Sequence, residues 1–308
     1  MILVAGSANL DFVVRAAHIP APGETVLGQD FNTYPGGKGA NQAVACARAG
    51  AADTQLLAAL GKDAFAAPIE ASLRSAGVQL QAVRLDDCAT GVAFICVAAD
   101  GENAITVAPG ANARLRAEHM PDLQGCSHLL LQLETPLDTV LALAQAARHQ
   151  GVAVVLNAAP AQPLPPALLS LVDVLLVNEG ELATVAQHQG SVRACLEHIA
   201  VPTVVVTLGH RGCCARENGQ WHWQTAFDVP VVDTTGAGDT FCGVLVAALS
   251  QGNSWPAALQ SASAAAALAC TVAGAQSSIP SAAEVTALVA RQGGSDAAAL
   301  RTLHQYCE

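Results

Sequence analysis

The sequence predicts an α/β fold: an open, mainly parallel sheet covered by helices on both faces, with a small β lid beside it. Three observations carry this. From residue 127 onward, "SHLLLQL", "PLDTVLALAQAARHQG", "VAVVLN", "PALLSLV", "DVLLVN", "EGELATVAQHQ" and "VPTVVVTLG" follow one another in strand–helix order, ending on a strand. The strand runs are apolar at consecutive positions, as in parallel strands buried on both faces. Polar residues gather just behind those runs, where open α/β sheets bind their ligands. Alternating strands and helices imply right-handed crossovers within one layered domain.

The other elements follow in order. "MILVAGSA" reads as a buried first strand, and residues 11–34, containing "IPAPGET", as short strands outside the main core. "GKGANQAVACARAG" begins with glycines and turns helical up to Gly50; "TQLLAAL" is a strand and "AFAAPIEASLRSAG" a helix. "TGVAFICVAADGENAITV" places two β-rich runs around Asp100-Gly101, a hairpin signal. The lid is therefore expected from about 11–34 and 88–108. "GCCARENGQWHWQ" reads as a second hairpin and "AFDVPVV" as a strand leading into "DTTGAGDTF". Helices are expected at 237–250, 256–273, 281–292 and 296–306, the last capped by Ser295. The run "SASAAAALAC" predicts a tightly packed buried helix.

Composition narrows the function classes. Hydrophobic residues make up 52% and charged residues 13%, against roughly 25% charged in an average domain. Such a chain buries a sizeable core. With 4% aromatics, that core rests on Ala, Val and Leu. A net charge of −11 without a basic patch argues against a nucleic-acid partner. "MILVAGSANLDF" lacks the basic start of a signal peptide, and no apolar run reaches about 18 residues, so no membrane role is expected. The ten cysteines lack a C-x-x-C pair and read as buried or free thiols of a reducing, cytoplasmic compartment. Adjacent Cys213 and Cys214 read as strand residues.

The densest polar cluster is "DTTGAGDTF", Asp233 to Phe241. A helix beginning behind Gly236, Ala237 and Gly238 aims backbone amides and the positive end of its dipole at one point, and glycines let a phosphate approach. Asp239, in the first turn, suits a base accepting a hydroxyl proton beside that phosphate; capping the helix is the plainer role. G-x-x-x-x-G-K-[ST] is absent, and "GAGDTF" is no dinucleotide fingerprint. In "YPGGKGANQ", residues 34–42, glycines surround Lys38, and Asn41 follows; the set suits a polyol, or a flexible turn. Asn9 and Asp11 directly after the first strand, with Glu134, Asn178, Glu181 and Thr207 after later ones, complete the strand-end polar set.

"PGGKGANQAVACARAG" and "DTTGAGDTFCGVL" resemble the two signatures of the carbohydrate kinase family that includes ribokinase. Between them "LLLQLETP", "VVLNAAPAQPLP", "LVDVLLVNEGELA" and "VTLGHRG", and later "AGAQSSIP", follow the family's order. The similarity spans about residues 1–292, read as the kinase domain; 293–308 reads as a helical extension. The resemblance implies a three-layer α/β/α fold whose lid also makes a homodimer. It implies ATP-dependent phosphorylation of a sugar hydroxyl, O5 in the case of D-ribose. Asn9, Asp11, Gly37, Lys38, Asn41 and Glu134 would hold the sugar, with Asp239 the base and Gly236, Ala237 and Gly238 the anion hole. Asn178 and Glu181 would position the Mg²⁺-bound triphosphate; Thr207, Gly209, Gly212 and Ser263 would line the nucleotide site. An activating K⁺ would fall on the side chains of Asp233 and Ser278 and the carbonyls of Thr235, Ala269, Val272 and Gly274.

Ser263 stands where many members carry a larger polar residue, the first glycine of "GAGD" where many carry alanine, and Cys242 where Asn is frequent. Lys38 within "GGKGAN" resembles the ribokinase pattern and not that of fructokinase-like relatives, which usually lack that lysine, so the resemblance implies ribose over fructose as the acceptor. Deoxyribose and nucleosides are the nearest alternatives, although few aromatics are available to stack a base. A catalytically silent sugar-binding regulator is disfavoured because Asp239 is present.

Overall fold

The first strand divides the two faces of the sheet. Successive side chains of a strand point to opposite faces. In β1 (Ile2–Ala5), Ile2 and Val4 enter one apolar core, and Leu3 and Ala5 enter another. All are at most 1% exposed, so the consecutive apolar run reports a sheet covered on both sides. The computed structural model describes residues 1–292 and 297–308.

Strands β2 (Asn9–Arg15) and β3 (Asp30–Gly36) leave the main sheet, and α1 (Lys38–Arg48) returns the chain to it. Then come β4 (Thr54–Gly61), α2 (Ala66–Ser75), β5 (Gln79–Leu85) and the hairpin of β6 (Gly91–Val97) and β7 (Asn103–Ala108). The regular section runs through β8 (His128–Leu131), α3 (Leu137–His149), β9 (Ala153–Asn157), α4 (Pro166–Leu169), β10 (Val174–Asn178), α5 (Glu179–Ala186), α6 (Val192–Leu196) and β11 (Thr203–Thr207). A second hairpin, β12 (Gly212–Glu217) and β13 (Gln220–Thr225), precedes α7 (Ala237–Ser250), α8 (Trp255–Ala269), α9 (Ala282–Gln292) and α10 (Ala297–Cys307).

Nine strands form the main sheet in the order β13-β12-β11-β10-β9-β8-β1-β4-β5, parallel except that β12 runs antiparallel to both β11 and β13. The chain builds outward from β1 through β4 and β5, then crosses to β8 and builds the other way. That reversal opens a crevice at the carboxyl ends of β1 and β8. Four strands form the lid, in the order β3-β2-β6-β7. Helices α1, α7 and α8 pack on one face of the main sheet, and α3, α4, α5 and α10 contribute to the core on the other. The Ala-rich run is buried in α8, with Ala262, Ala264 and Ala265 fully covered. Among the described residues, no helix is long and apolar enough to cross a membrane.

Helices α1 and α7 touch through Gly243. A Cβ there would lie 2.5 Å from the Gln42 carbonyl oxygen and 2.6 Å from the Ala45 Cβ. Gly243→Val is therefore expected to destabilise the protein by about 1–3 kcal/mol through overpacking. A wild-type melting temperature for that variant would contradict this packing.

Several elements differ from expectation. "AFDVPVV" forms no strand: Pro230 has no N–H for a ladder, the Asp228 amide bonds Gln292 Oε1, and the Val232 amide bonds the Cys270 carbonyl. Strand β5 and the short α6 were not anticipated. Strand β5 is a half-exposed edge strand whose polar residues interrupt the apolar run sought in the sequence. Helix α8 stops at Ala269, not residue 273, where Cys270 turns its carbonyl to Val232 and Asp233. Asn9 and Asp11 do follow the first strand directly, and the lid strand β2 begins at Asn9, two residues before the expected start of the lid. Ser295 lies outside the described residues.

Candidate active site

The first turn of α7 fixes one wall of the site. Gly236 caps it at φ +74, and a Cβ there would lie 3.0 Å from the Ala275 Cα. The opening amides of a helix have no intrahelical carbonyl, and the space before Gly238 is open. Asp239 is 8% exposed. Its Oδ2 accepts from Asn41 Nδ2 and its Oδ1 from Gln42 Nε2, both at 2.9 Å. Both donors are in turn engaged. Gln276 Nε2 donates to Asn41 Oδ1 at 3.1 Å, and Gln132 Nε2 donates to Gln42 Oε1 at 2.6 Å. The Gln42 amide also reaches Asn157 Oδ1 at 3.0 Å. A buried carboxylate with N–H donors on both oxygens and a helix N-terminus beneath it is an oriented proton acceptor.

The expected polyol residues converge on Asp239. Glu134 Oε2 accepts from Ser7 Oγ at 2.5 Å and from the Lys38 amide at 3.0 Å. Gly37 adopts φ +88 against Asn9 N and Ala8 Cα, where a Cβ would lie 2.8 and 2.9 Å away; only glycine fits. The Lys38 ammonium makes no hydrogen bond among the described residues. Asp239 pushes its pKa up more than burial pulls it down, and Glu134 and Glu181 add to the rise. Asn9 Oδ1 accepts from Asn112 Nδ2 at 2.7 Å. Asp11 is raised from 3.8 to about 7, first by burial, then by the charges of Glu134 and Asp239.

Lys38, Asn178, Glu181, Thr207, Gly238 and Asp239 line a cavity of about 160 Å³. Thr207 and Gly238 also border a second, more apolar cavity of about 600 Å³, to which Gly209, Gly212, Phe227 and Ser263 contribute. Asn178 and Glu181 form a capping box on α5: Asn178 Oδ1 accepts the Glu181 amide at 2.9 Å, and Glu181 Oε2 accepts the Asn178 amide at 2.8 Å. Burial pushes the Glu181 carboxyl up, against the pull of the Asn178 amide and Lys38. Beside α7, Asp233 Oδ1 accepts from Thr235 N and Oγ1, and Asp233 Oδ2 accepts from Gly274 N. Ser278 Oγ donates to the Ala275 carbonyl.

The model of the pfkB family carbohydrate kinases matches residues 1–282. The chain belongs to this family. It is 40% identical over 293 residues to a ribokinase of Haemophilus influenzae, covering 91% of this chain and 95% of the relative. It is 34% identical over 293 residues to a Salmonella typhi deoxyribokinase, with the same two coverages. The solved structure of Arabidopsis thaliana ribokinase complexed with ribose and ATP matches it with a TM-score of 0.86 at 33% identity, covering 94% of this chain and 98% of the other. The three-layer ribokinase-like α/β/α fold expected from the motifs is thereby established, as is the class of enzyme, an ATP-dependent carbohydrate kinase.

In this kinase the polar residues that sequence reasoning missed are those that orient the others. Ser7, Gln42 and Gln276 lay inside stretches already singled out, "GSAN", "GGKGANQ" and "AGAQSS". Gln132 likewise lay inside "LLLQLETP", while Asn112 carried no local signal; only the fold brings the two to Gln42 and Asn9.

Proposed function

We propose that this kinase transfers the γ-phosphoryl group of ATP to O5 of D-ribose, giving ribose 5-phosphate and ADP. The observation that carries this reading is the placing of Asp239 between a pocket of polyol-binding side chains and the open N-terminus of α7. Asn9, Asp11, Gly37, Lys38, Asn41 and Glu134 bind the sugar hydroxyls. Asp239 accepts the proton of O5 as its oxygen bonds phosphorus and the bond to ADP breaks. Amides at Gly236, Ala237 and Gly238 stabilise the charge spreading over the phosphoryl oxygens. The larger cavity takes the nucleotide, with Thr207, Gly209, Gly212 and Ser263 along it.

Mg²⁺, arriving with ATP, would neutralise phosphate charge. Asn178 and Glu181 offer the hard oxygen donors it favours, acting largely through water because their capping box engages them. A monovalent cation, K⁺, suits Asp233 and Ser278 with the carbonyls of Thr235, Ala269, Val272 and Gly274, an all-oxygen set. Against the upward push of burial, the Gly274 amide and Thr235 keep Asp233 below the usual carboxylate range, ionised for a cation. Residues 1–292 act as the kinase domain and 293–308 as an extension. The exposed lid side chains of Phe31, Phe94 and Ile105 favour a homodimer formed through the lid. A cytoplasmic location agrees with the free thiols of all ten cysteines.

Deoxyribose is the second acceptor, supported by the deoxyribokinase relative. One experiment tests the reading: ADP release with ATP, Mg²⁺ and K⁺, comparing D-ribose, 2-deoxyribose, fructose and adenosine. Ribose is expected to give the highest kcat/KM, and replacing K⁺ by Li⁺ or a bulky organic cation to lower the rate. Preference for another acceptor would reassign the substrate. A rate indifferent to the cation would remove K⁺. Sugar binding without turnover on any acceptor would make the protein a regulator.

A further inference from the structure

Helix α10 lies beyond the residues that the family model matches, yet it is built into the fold. Leu303 and Cys307 are 2% and 1% exposed and belong to the core beneath the sheet. Trp221 and Trp223, two residues apart on β13, stack at 5.0 Å. His304 lies 4.2 Å from the Trp223 ring, and Arg193 sits 4.9 Å over Trp221 while pairing with Glu308 at 2.7 Å. Cys307 and Cys214 of β12 belong to the same buried cluster. The helix is thus docked by burial and by contacts along its length.

The docked helix presents Tyr306 to the start of α5 and to the turn after β11 at once. Its hydroxyl donates to Glu179 Oε1, and the Arg211 guanidinium lies 4.0 Å over its ring. Glu179 directly follows Asn178, which lines the smaller cavity. Arg211 stands between His210 and Gly212, which line the larger one. The turn carrying Arg211 is bounded by Gly209 at φ +58 and Gly212 at φ +112, a path with wide freedom of its own. A single side chain therefore ties the start of α5, directly after β10, and the turn after β11 to a fixed helix.

We propose that α10 sets the geometry of the two nucleotide-side segments, the start of α5 and the turn after β11, with Tyr306 as the positioning residue that joins Glu179 to Arg211. The proposal rests on the nucleotide-side reading given above. Ordering a loop in advance lowers the entropic cost of capturing a ligand, so its effect falls on affinity. The sugar pocket, at the ends of β1 and β8, takes no contact from Tyr306. The effect therefore falls on nucleotide and spares sugar.

The test is calorimetric titration of the full chain with a non-hydrolysable ATP analogue plus Mg²⁺, and separately with D-ribose. Wild type, Tyr306→Phe and Tyr306→Ala are compared. Tyr306→Phe keeps the ring over Arg211 and breaks only the link to Glu179; it is expected to weaken nucleotide binding about threefold. Tyr306→Ala loses both contacts and is expected to weaken it about tenfold. Ribose affinity is expected to stay within about twofold of wild type in both. Nucleotide affinity unchanged in Tyr306→Phe, or an equal loss for ribose and nucleotide in either variant, overturns the proposal while leaving the kinase reading intact. A wild-type protein that does not bind the analogue overturns the nucleotide-side reading beneath it. Should Tyr306→Ala fail to fold, Tyr306→Phe decides alone.

Discussion

Asp239→Asn is expected to lower turnover roughly 10²–10⁴-fold, about 3–5 kcal/mol of transition-state stabilisation. The substitution preserves shape and removes the proton acceptor. A carboxylate that only complemented the α7 dipole would contribute about 0.3–1 kcal/mol to stability, and its loss would leave turnover near wild type. The hydrogen bonds add a second expectation. Asp239 accepts an amide N–H on each oxygen, from Asn41 and from Gln42. An Asn side chain has one oxygen, so its NH₂ must face a donor. Relief requires Asn41 or Gln42 to turn over, which breaks the bond from Gln276 or the bonds with Gln132 and Asn157. An unsatisfied buried polar group costs about 1–3 kcal/mol, so the variant should also melt lower. Steady-state kinetics with a melting curve separates the two effects. Near-wild-type turnover would remove Asp239 from the chemistry, whatever the melting temperature.

That network marks the boundary of what could be read from the chain. The strand and helix pattern after residue 127 was legible because parallel strands buried on both faces need unbroken apolar runs, and β8 to β11 supply them. Strand β5 was not legible because an edge strand with one wet side mixes Gln and Arg into the run. "AFDVPVV" misled because β-branched residues mark extended backbone as well as paired strands, and Pro230 decides between the two. The meeting of Asp239 and Lys38 at one cavity was legible as a polar cluster because both stand in glycine-rich runs directly at the start of helices. Asn112 was illegible, as was the partner of Gln132: a side-chain amide that orients another side chain needs no local motif, only the right place in space. The role of the tail was likewise invisible, since Tyr306 acts on residues that lie 95 and 127 positions away in the chain.

Asp11→Asn is expected to stabilise the ligand-free protein at alkaline pH and to weaken its hold on ribose. The Asp11 carboxyl lies against Gly36, where a Cβ would come within 2.0 Å of Oδ2, and it makes no hydrogen bond among the described residues. Burial, then Glu134 and Asp239, raise it from 3.8 to about 7. Between those values the folded protein binds a proton that the unfolded chain has released. The favourable contribution of the protonated group is therefore complete below 3.8 and is lost as pH rises through about 7. Above that, the ionised form leaves the protein less stable by on the order of 4 kcal/mol. Asparagine cannot ionise, so the melting temperature of Asp11→Asn should pull ahead of wild type between about pH 4 and about pH 7 and hold its lead above that. Ribose reverses the balance, because its hydroxyls would supply the donors that the ionised carboxylate lacks. Hydrogen bonds to a charged group contribute about 1.5–3 kcal/mol, so the substitution should weaken ribose binding by about 10- to 100-fold. Wild-type affinity should rise through pH 7, and that of the variant should stay flat. A melting difference that does not change with pH would show that another group titrates. Ribose affinity equal in the two proteins would take Asp11 out of the sugar pocket.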